Sequence, residues 1–259
     1  MIVLPCDKKG SGPVPVVFLH GYCEGRWIWE HCLPDPGNKF TFLSYDLPGF
    51  GEADQMPQAV SMESVAEIVL DNVHAVTAAP PVVIGHSLGG YVALAMAASD
   101  PAGIAGLGLI HSTIYPDPEE KKQNREKVAA SVMKHGSRPF LETFAEGLFA
   151  DPASAACQVF RQLCASTRAE TIAAYALAMR DRPDRTALWS HLQVPLLLVA
   201  GRQDRLTTPE MMQTIAECNM LSKFFILEHS AHAGMLEEQA ALRRIMGDFL
   251  TLFTPVHPA

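Results

Sequence analysis

Six short runs of apolar residues, each about as long as a β-strand, recur along this chain of 259 residues. Each run is continuously apolar rather than alternating between apolar and polar positions. A continuous run is typical of a strand in a parallel sheet, because helices cover both faces of such a sheet. The six predicted strands are Val14–Gly21, Phe40–Asp46, Pro81–Ser87, Ile104–Ser112, Val194–Gly201 and Lys223–Glu228.

Amphipathic helix patterns lie between the predicted strands. One begins at Ser61, a favourable N-cap residue, with Ser64 three positions on. Another places Pro209 at the first helical position after Thr208. Further helices are predicted over residues 89–101 and 237–253. The alternation of strands and helices predicts an α/β fold with a doubly wound or similar parallel sheet.

The alternation lapses between Ile114 and His191, where the sequence shows charged and alanine-rich helical stretches and no convincing strand. A helical insertion between two strands of the sheet accounts for this. We therefore predict a core made of residues 1–112 and 192–259, with the insertion at 113–191. The length of the chain suits a single α/β core of this kind.

Charge and cysteine usage restrict the partners and the compartment. The net charge of −8 argues against nucleic acid or an anionic membrane as the main partner. The opening segment MIVLPCDKKG lacks the basic flank and apolar stretch of a secretory signal, and no apolar run is long enough to span a bilayer. The cysteines show no CxxC pair or zinc-like spacing, so we expect reduced thiols in a cytoplasmic protein. They are Cys6, Cys23, Cys32, Cys157, Cys164 and Cys218.

The motif Gly85-His86-Ser87-Leu88-Gly89 stands between a predicted strand and a predicted helix. Such a turn holds the serine in a strained backbone conformation and projects its hydroxyl away from the sheet. Glycines are needed at both ends because a Cβ there would collide with the neighbouring strand or helix. The following helix directs its first N–H groups to the place where negative charge would develop. We predict that Ser87 is a nucleophile.

The base that accepts the proton of this serine must come from a distant loop. His86 is adjacent, but its side chain leaves the turn in another direction, so we expect it to pack beside the site. In folds with this motif the acid and the histidine follow the serine along the chain. Asp204 follows one predicted strand, and His229 and His232 follow the next, on the rim where α/β sheets build their sites. The two histidines have no accompanying ligand cluster, so no metal is predicted.

Acyl chemistry also requires donors for an oxyanion. His20 and Gly21 come directly after a predicted strand. The backbone N–H groups of Tyr22 and Leu88 are the predicted donors. Gly21 lets the loop turn close to the substrate, and we expect His20 to hydrogen-bond the loop backbone rather than to react.

Five segments occur in an order that resembles the α/β-hydrolase superfamily over nearly the whole chain: LHGY, YDLPGFGEAD, GHSLGGYVAL, GRQDRLTTPE and SAHAGMLEE. The resemblance implies an eight-stranded, mostly parallel sheet with a helical lid inserted after the sixth strand. It implies the catalytic triad Ser87, Asp204 and His232, which leaves His229 as a rim residue, and it implies no cofactor. Asp46 matches a structural turn of the superfamily. Ala231 departs mildly from it, because glycine often stands there.

The segments HSTIYPDPEEKKQNREK and AMRDRPDRT resemble a subgroup of small bacterial serine hydrolases with a helical lid, whose members are known mainly by their fold. The likeness therefore specifies no substrate. Three residues are possible parts of the substrate pocket: His111, at the end of a predicted strand, Glu24 and Trp27.

The predicted lid is rich in charge. Glu119, Glu120, Lys121, Lys122, Arg125 and Glu126 at helical spacing are read as a solvated helix face. The segment RDRPDR offers Arg180, Arg182 and Arg185, which could clamp an anionic substrate group. Because Asp181 and Asp184 alternate with them, salt bridges between lid and core are the preferred interpretation.

These features predict a serine hydrolase of small-molecule carboxylic esters or related acyl compounds, acting through an acyl-enzyme on Ser87. A C–C bond hydrolase, lactonase, thioesterase or perhydrolase would use the same triad. A ligand receptor or sensor on the same fold is the alternative from another class, since a fold does not fix a function. The sequence predicts nothing about oligomeric state.

Overall fold

The computed structural model of the protein describes residues 2–254. Within them, seven strands form one sheet: β1 (Cys6–Lys9), β2 (Val14–Leu19), β3 (Phe40–Tyr45), β4 (Val82–His86), β5 (Gly106–Ile110), β6 (Leu196–Gly201) and β7 (Ser222–Leu227). Their order across the sheet is β1-β3-β2-β4-β5-β6-β7. Neighbours are parallel except for β1, which pairs antiparallel with β3. All six predicted strands are present, and the mostly parallel α/β class is confirmed.

The expectation of eight strands is corrected to seven over the described residues. The segment before β1 is held by other groups: the Leu4 N–H donates to Asn72 Oδ1 at 2.9 Å, and Asn72 Nδ2 donates to the Ile2 carbonyl at 2.8 Å. The Pro5 carbonyl accepts from the Asp46 N–H at 3.0 Å. Residues 2–5 form no further strand. The helical insertion therefore follows the fifth strand, β5, and not the sixth as expected. β1 itself was missed because its four residues are mostly exposed and form no apolar run.

Helices cover both faces of the sheet. Val17 and Leu19 of β2 belong to one buried cluster, and Val16 and Phe18 of the same strand belong to the other. Both faces of the strand are therefore buried, which explains its continuously apolar sequence. The α-helices of the described residues are α1 (Met62–His74), α2 (Leu88–Ser99), α3 (Glu119–His135), α4 (Arg138–Glu146), α5 (Ala155–Cys164), α6 (Ala169–Arg180), α7 (Thr186–His191), α8 (Pro209–Glu217), α9 (Gly234–Glu237) and α10 (Gln239–Leu250).

The predicted starts of two helices are confirmed by their caps. Ser61 and Ser64 form a reciprocal capping box at the start of α1. Thr208 accepts a hydrogen bond from the Met211 N–H at the start of α8, where Pro209 is the first helical residue. No helix within residues 2–254 is both long enough and apolar enough to cross a membrane.

The predicted insertion interval contains five helices, α3 to α7, between β5 and β6. Its helix α6 is bonded to the turn after β3: Tyr175 Oη donates to the Pro48 carbonyl at 2.9 Å, and Thr171 Oγ1 donates to the Gly49 carbonyl at 3.2 Å. The same turn is held by Asp46, which accepts from the Arg26 and Glu52 backbone N–H groups. These bonds give α6 a fixed position beside the carboxyl ends of the strands.

Among the described residues, all three arginines of RDRPDR are in ion pairs, and only the pair of Arg185 joins the insertion to the core. Arg185 Nη2 lies 2.6 Å from Glu63 on α1. Arg180 pairs within the insertion, with Asp181 and Glu126. Arg182 is buried, bonds Asp117 at 2.8 Å, and places its guanidinium 4.2 Å from the centre of the Tyr91 ring on α2.

We expect Arg182→Ala to lower the free energy of unfolding by about 3 kcal/mol, because it leaves the buried Asp117 carboxylate without its closest partner. Arg180→Ala, two positions earlier, removes only solvent-screened pairs and should change stability little. Urea unfolding of the two variants measures the difference. Equal losses in both would contradict a structural role for the Arg182 pair.

Candidate active site

Ser87 lies on a sharp turn between β4 and α2, with φ of 47° and ψ of −111°. This conformation is strained for a residue with a side chain. The turn is tightly enclosed: a Cβ on Gly85 would overlap the backbone of Gly89, and a Cβ on Gly89 would overlap the Leu19 carbonyl at the end of β2. The two glycines therefore allow α2 to start directly against the sheet, as the motif predicted.

The structure brings together the three residues predicted as a triad. Ser87 Oγ lies 3.0 Å from His232 Nε2. On the other side of the ring, His232 Nδ1 lies 2.8 Å from Asp204 Oδ2. Asp204 follows β6 and His232 follows β7, so the carboxyl ends of parallel strands supply all three positions. His229 does not take part: its side chain has no place in this chain of hydrogen bonds within the described residues.

Asp204 is a buried carboxylate with five hydrogen bonds. Oδ2 accepts from His232 Nδ1, from Thr207 Oγ1 at 2.7 Å and from His111 Nδ1 at 3.1 Å, while Oδ1 accepts from the N–H groups of Leu206 and Thr207. Burial alone raises the pKa of Asp204, but the charge of His232 and the bonds from both histidines outweigh it. The pKa therefore lies well below its usual value, and the side chain stays ionised.

His111 is a second histidine on this carboxylate, and the sequence reasoning missed that role. It is fully buried at the end of β5, with φ of 48°. Because Nδ1 donates to Asp204, Nε2 is unprotonated in the neutral ring, and it has no hydrogen-bond partner among the described residues. Burial lowers the pKa of His111 to about 4, against the opposing effect of Asp204. The ring is therefore a neutral donor at neutral pH.

His86 and Glu24 form a buried pair behind the triad. His86 Nε2 donates to the backbone carbonyl of His232 at 3.0 Å, and His86 Nδ1 lies 2.9 Å from Glu24 Oε2. The same oxygen accepts from the Gly21 N–H at 2.7 Å. Burial raises the pKa of Glu24, but the charge and hydrogen bond of His86 outweigh it, and the net shift is downward. Both ring nitrogens of His86 thus face acceptors, so the ring joins Glu24 to the backbone of His232.

The loop after β2 carries one of the two backbone N–H groups predicted to hold an oxyanion. No hydrogen bond within residues 2–254 uses the backbone N–H of Tyr22 or of Leu88. Cys23 adopts a positive φ of 63°, which turns the loop back after Tyr22. His20 receives the Leu47 N–H on Nε2 at 2.9 Å, so Nδ1 carries the proton and donates to the Gly21 carbonyl at 2.8 Å. His20 therefore holds the loop backbone, as expected.

A cavity of about 220 Å³ opens beside Ser87 and His232. Its wall is mostly apolar and comes largely from the insertion. The apolar side chains include Val128, Phe140, Phe144, Leu148, Met179 and Leu206.

The three residues expected as possible pocket residues do not line this cavity. His111 lies behind Asp204, and Glu24 is buried against His86 and Gly21. Trp27 packs its ring against Phe160 of α5 instead, with the ring centres 5.9 Å apart. The positions of His111, Glu24 and Trp27 in the sequence did not show that their side chains point away from the cavity.

His111, Asp204 and His232 offer ligand atoms within 4.8 Å of one another, which is a spacing suited to a metal ion. Both imidazole Nδ1 atoms, however, point at the same carboxylate oxygen at hydrogen-bond distance. A nitrogen that donates a proton there has no lone pair for a metal. The cluster is therefore explained by hydrogen bonding.

A family model described as "Alpha/beta hydrolase family" matches residues 16–245. The pimeloyl-[acyl-carrier protein] methyl ester esterase of Neisseria meningitidis is 28% identical over 244 residues, covering 91% of this chain and 76% of that protein. A thermophilic esterase from Thermogutta terrifontis, solved with malate bound, is 30% identical with a TM-score of 0.89, covering 96% and 93% of the two chains. The enol-lactonase from Burkholderia xenovorans shares the fold, with 20% identity, a TM-score of 0.87 and 96% of each chain covered.

We expect His111→Asn to reduce the loss of stability on acidification. Between its unfolded pKa near 6.5 and its folded pKa of about 4, the unfolded chain takes up a proton that the folded chain does not, so the free energy of unfolding falls as pH falls through this range. By pH 5 this amounts to about 2 kcal/mol. Asparagine keeps an N–H donor for Asp204 and tolerates the positive φ.

Urea unfolding at pH 7 and pH 5 measures this dependence, with the exposed His74→Asn as the control. The wild type and the His74 variant should lose more stability between the two pH values than the His111 variant. An equal loss in all three proteins would show that His111 does not remain neutral in the fold.

Proposed function

The chain belongs to the alpha/beta hydrolase family, and we propose that it hydrolyses carboxylic esters through a covalent acyl-enzyme on Ser87. The observation that carries the proposal is the continuous chain of hydrogen bonds from Ser87 through His232 to the ionised Asp204. It ends at a cavity whose apolar wall suits an acyl chain.

In this proposal His232 accepts the Ser87 proton on Nε2 as Ser87 Oγ attacks the ester carbonyl. The same nitrogen then returns the proton to the departing alcohol. A water molecule, deprotonated by His232 in turn, attacks the acyl-enzyme and releases the carboxylic acid. Asp204 fixes the ring with Nε2 toward Ser87 and stabilises the imidazolium that forms at each step.

The N–H groups of Tyr22 and Leu88 hold the oxyanion in the proposed reaction. Two features support this assignment: both groups lack a hydrogen bond within the described part of the chain, and Leu88 is the first residue of α2. The helix N-terminus adds a partial positive charge where the carbonyl oxygen becomes negative.

Ester hydrolysis fits better than the other reactions that the triad could perform. The Neisseria relative is named as a methyl ester esterase, and the Thermogutta protein as an esterase. We propose a small-molecule ester as substrate and a serine esterase with a helical lid, residues 113–191, over its site. A cytoplasmic location is supported by six cysteines with free thiols, as is common in a reducing compartment.

We expect Ser87→Ala to lower kcat/KM for a short p-nitrophenyl ester by at least about a thousandfold, because it removes the attacking atom. Thermal unfolding should show that the fold persists, since among the described residues Ser87 Oγ makes one hydrogen bond, to His232. Labelling by a fluorophosphonate probe should disappear with the activity.

Ser99→Ala, at the other end of α2, is the matched control and should keep both the turnover and the labelling. Retained turnover in the Ser87 variant would refute the acyl-enzyme. Negligible turnover in the wild type, together with ligand-dependent binding of a partner protein, would favour the receptor alternative.

A further inference from the structure

One face of α3 lines the cavity that contains Ser87. Lys121, Asn124, Arg125 and Val128 all lie on the cavity wall. Their spacing of three, four and seven residues places them on a single face of the helix. The sequence predicted a solvated helix face here, and the structure adds that Lys121 and Arg125 of this face also line the cavity. These two residues approach the substrate space.

The charge on this wall is of one sign. Lys121 and Arg125 line the cavity, and no aspartate or glutamate of the described residues does so. The whole chain, by contrast, has 28 acidic and 20 basic residues. A cationic wall in an acidic protein is a local feature of this site rather than a reflection of composition.

Asp117, the carboxylate beside Lys121 and Arg125, does not neutralise the positive charge of the cavity wall. Asp117 lies 3.1 Å from Arg125 Nε, 3.8 Å from Lys121 Nζ and 2.8 Å from Arg182 Nη2. One negative group thus faces three positive groups, and the cluster has a surplus of positive charge. Asp117 orients the cations and leaves most of their charge for a further partner.

The donors of this wall are largely unused. Among the hydrogen bonds of residues 2–254, Arg125 engages only Nε, and Asn124 engages no side-chain atom. Lys121 has only the long contact to Asp117. A guanidinium edge, an ammonium and an amide close together offer the donors that a carboxylate or a phosphate accepts.

Helix stability does not explain the position of Lys121. It is the third residue of α3, where the backbone dipole is positive and a cation is unfavourable. Glu119 and Glu120 are the residues that suit this end of the helix. Lys121 is therefore placed against the local preference of the helix, and it faces the cavity.

We propose that Lys121, Asn124 and Arg125 bind an anionic group of the substrate, so that the enzyme prefers esters whose acyl chain ends in a carboxylate or a phosphate. This inference rests on the proposed ester hydrolysis. The apolar part of the wall, which includes Phe140, Phe144 and Leu148, would cover the chain between the anionic group and the scissile carbonyl.

The test compares three activated esters with the same six-carbon acyl chain. They are p-nitrophenyl hexanoate, the mono-p-nitrophenyl ester of adipic acid, and p-nitrophenyl hexanoate with a phosphate on its terminal carbon. We expect kcat/KM of the wild type to be about tenfold higher for at least one anionic ester than for the neutral one. The better of the two identifies the anionic group, and 0.5 M salt should reduce the preference.

Lys121→Glu should lower the ratio of anionic to neutral kcat/KM by about tenfold or more, because it reverses the charge on the wall. Lys122→Glu makes the same change on the same helix at a residue that does not line the cavity, and its ratio should equal that of the wild type. A ratio near one in the wild type, or equal losses in the two variants, overturns the anionic site while leaving ester hydrolysis intact.

If the wild type hydrolyses none of the three esters, the proposed function fails, and binding decides the anionic site separately. Calorimetric titration with adipate should then show binding to the wild type and to the Lys122 variant, and no binding to the Lys121 variant. Absence of binding to the wild type would overturn the proposal.

Discussion

The close approach of α2 to the end of β2 is the constraint on which the site depends. Gly89 lies so near the Leu19 carbonyl that no side chain fits between them, and Gly85 lies equally near Gly89. This contact forces the turn that strains Ser87, and it sets the first N–H of α2 beside the loop that carries Tyr22. The positions of the proposed nucleophile and of the proposed oxyanion donors thus follow from one packing contact rather than from two separate arrangements.

The sequence predicted most of the sheet and the three residues of the proposed triad, because both follow from local pattern and strand order. Continuous apolar runs located six strands, and loops after parallel strands share one rim, which brings Asp204 and His232 to Ser87. β1 and the direction of Trp27 were not predictable in this way. An exposed edge strand needs no apolar residues, and the direction of a side chain depends on packing between segments far apart in sequence.

Two buried carboxylates near the site, Asp204 and Asp117, differ in the groups that surround them. Asp204 accepts two imidazole N–H groups and three further donors, which fix it as an ion on the protein side of His232. Asp117 faces Lys121 and Arg125 of the cavity wall and the buried Arg182. The first carboxylate is stabilised by hydrogen bonds within the fold, and the second is outnumbered by the positive groups around it.

The hydrogen bonds of Glu24 restrict where substitutions can be tolerated in this protein. A single carboxylate oxygen accepts from the Gly21 backbone, next to the Tyr22 N–H, and faces the His86 ring that holds the His232 carbonyl. The loop of the proposed oxyanion donor Tyr22 and the loop of the proposed base His232 are therefore joined through these hydrogen bonds. A substitution at Glu24 would disturb both at once, so variation in substrate scope is easier to accommodate in the insertion, where the cavity wall can change without disturbing this link.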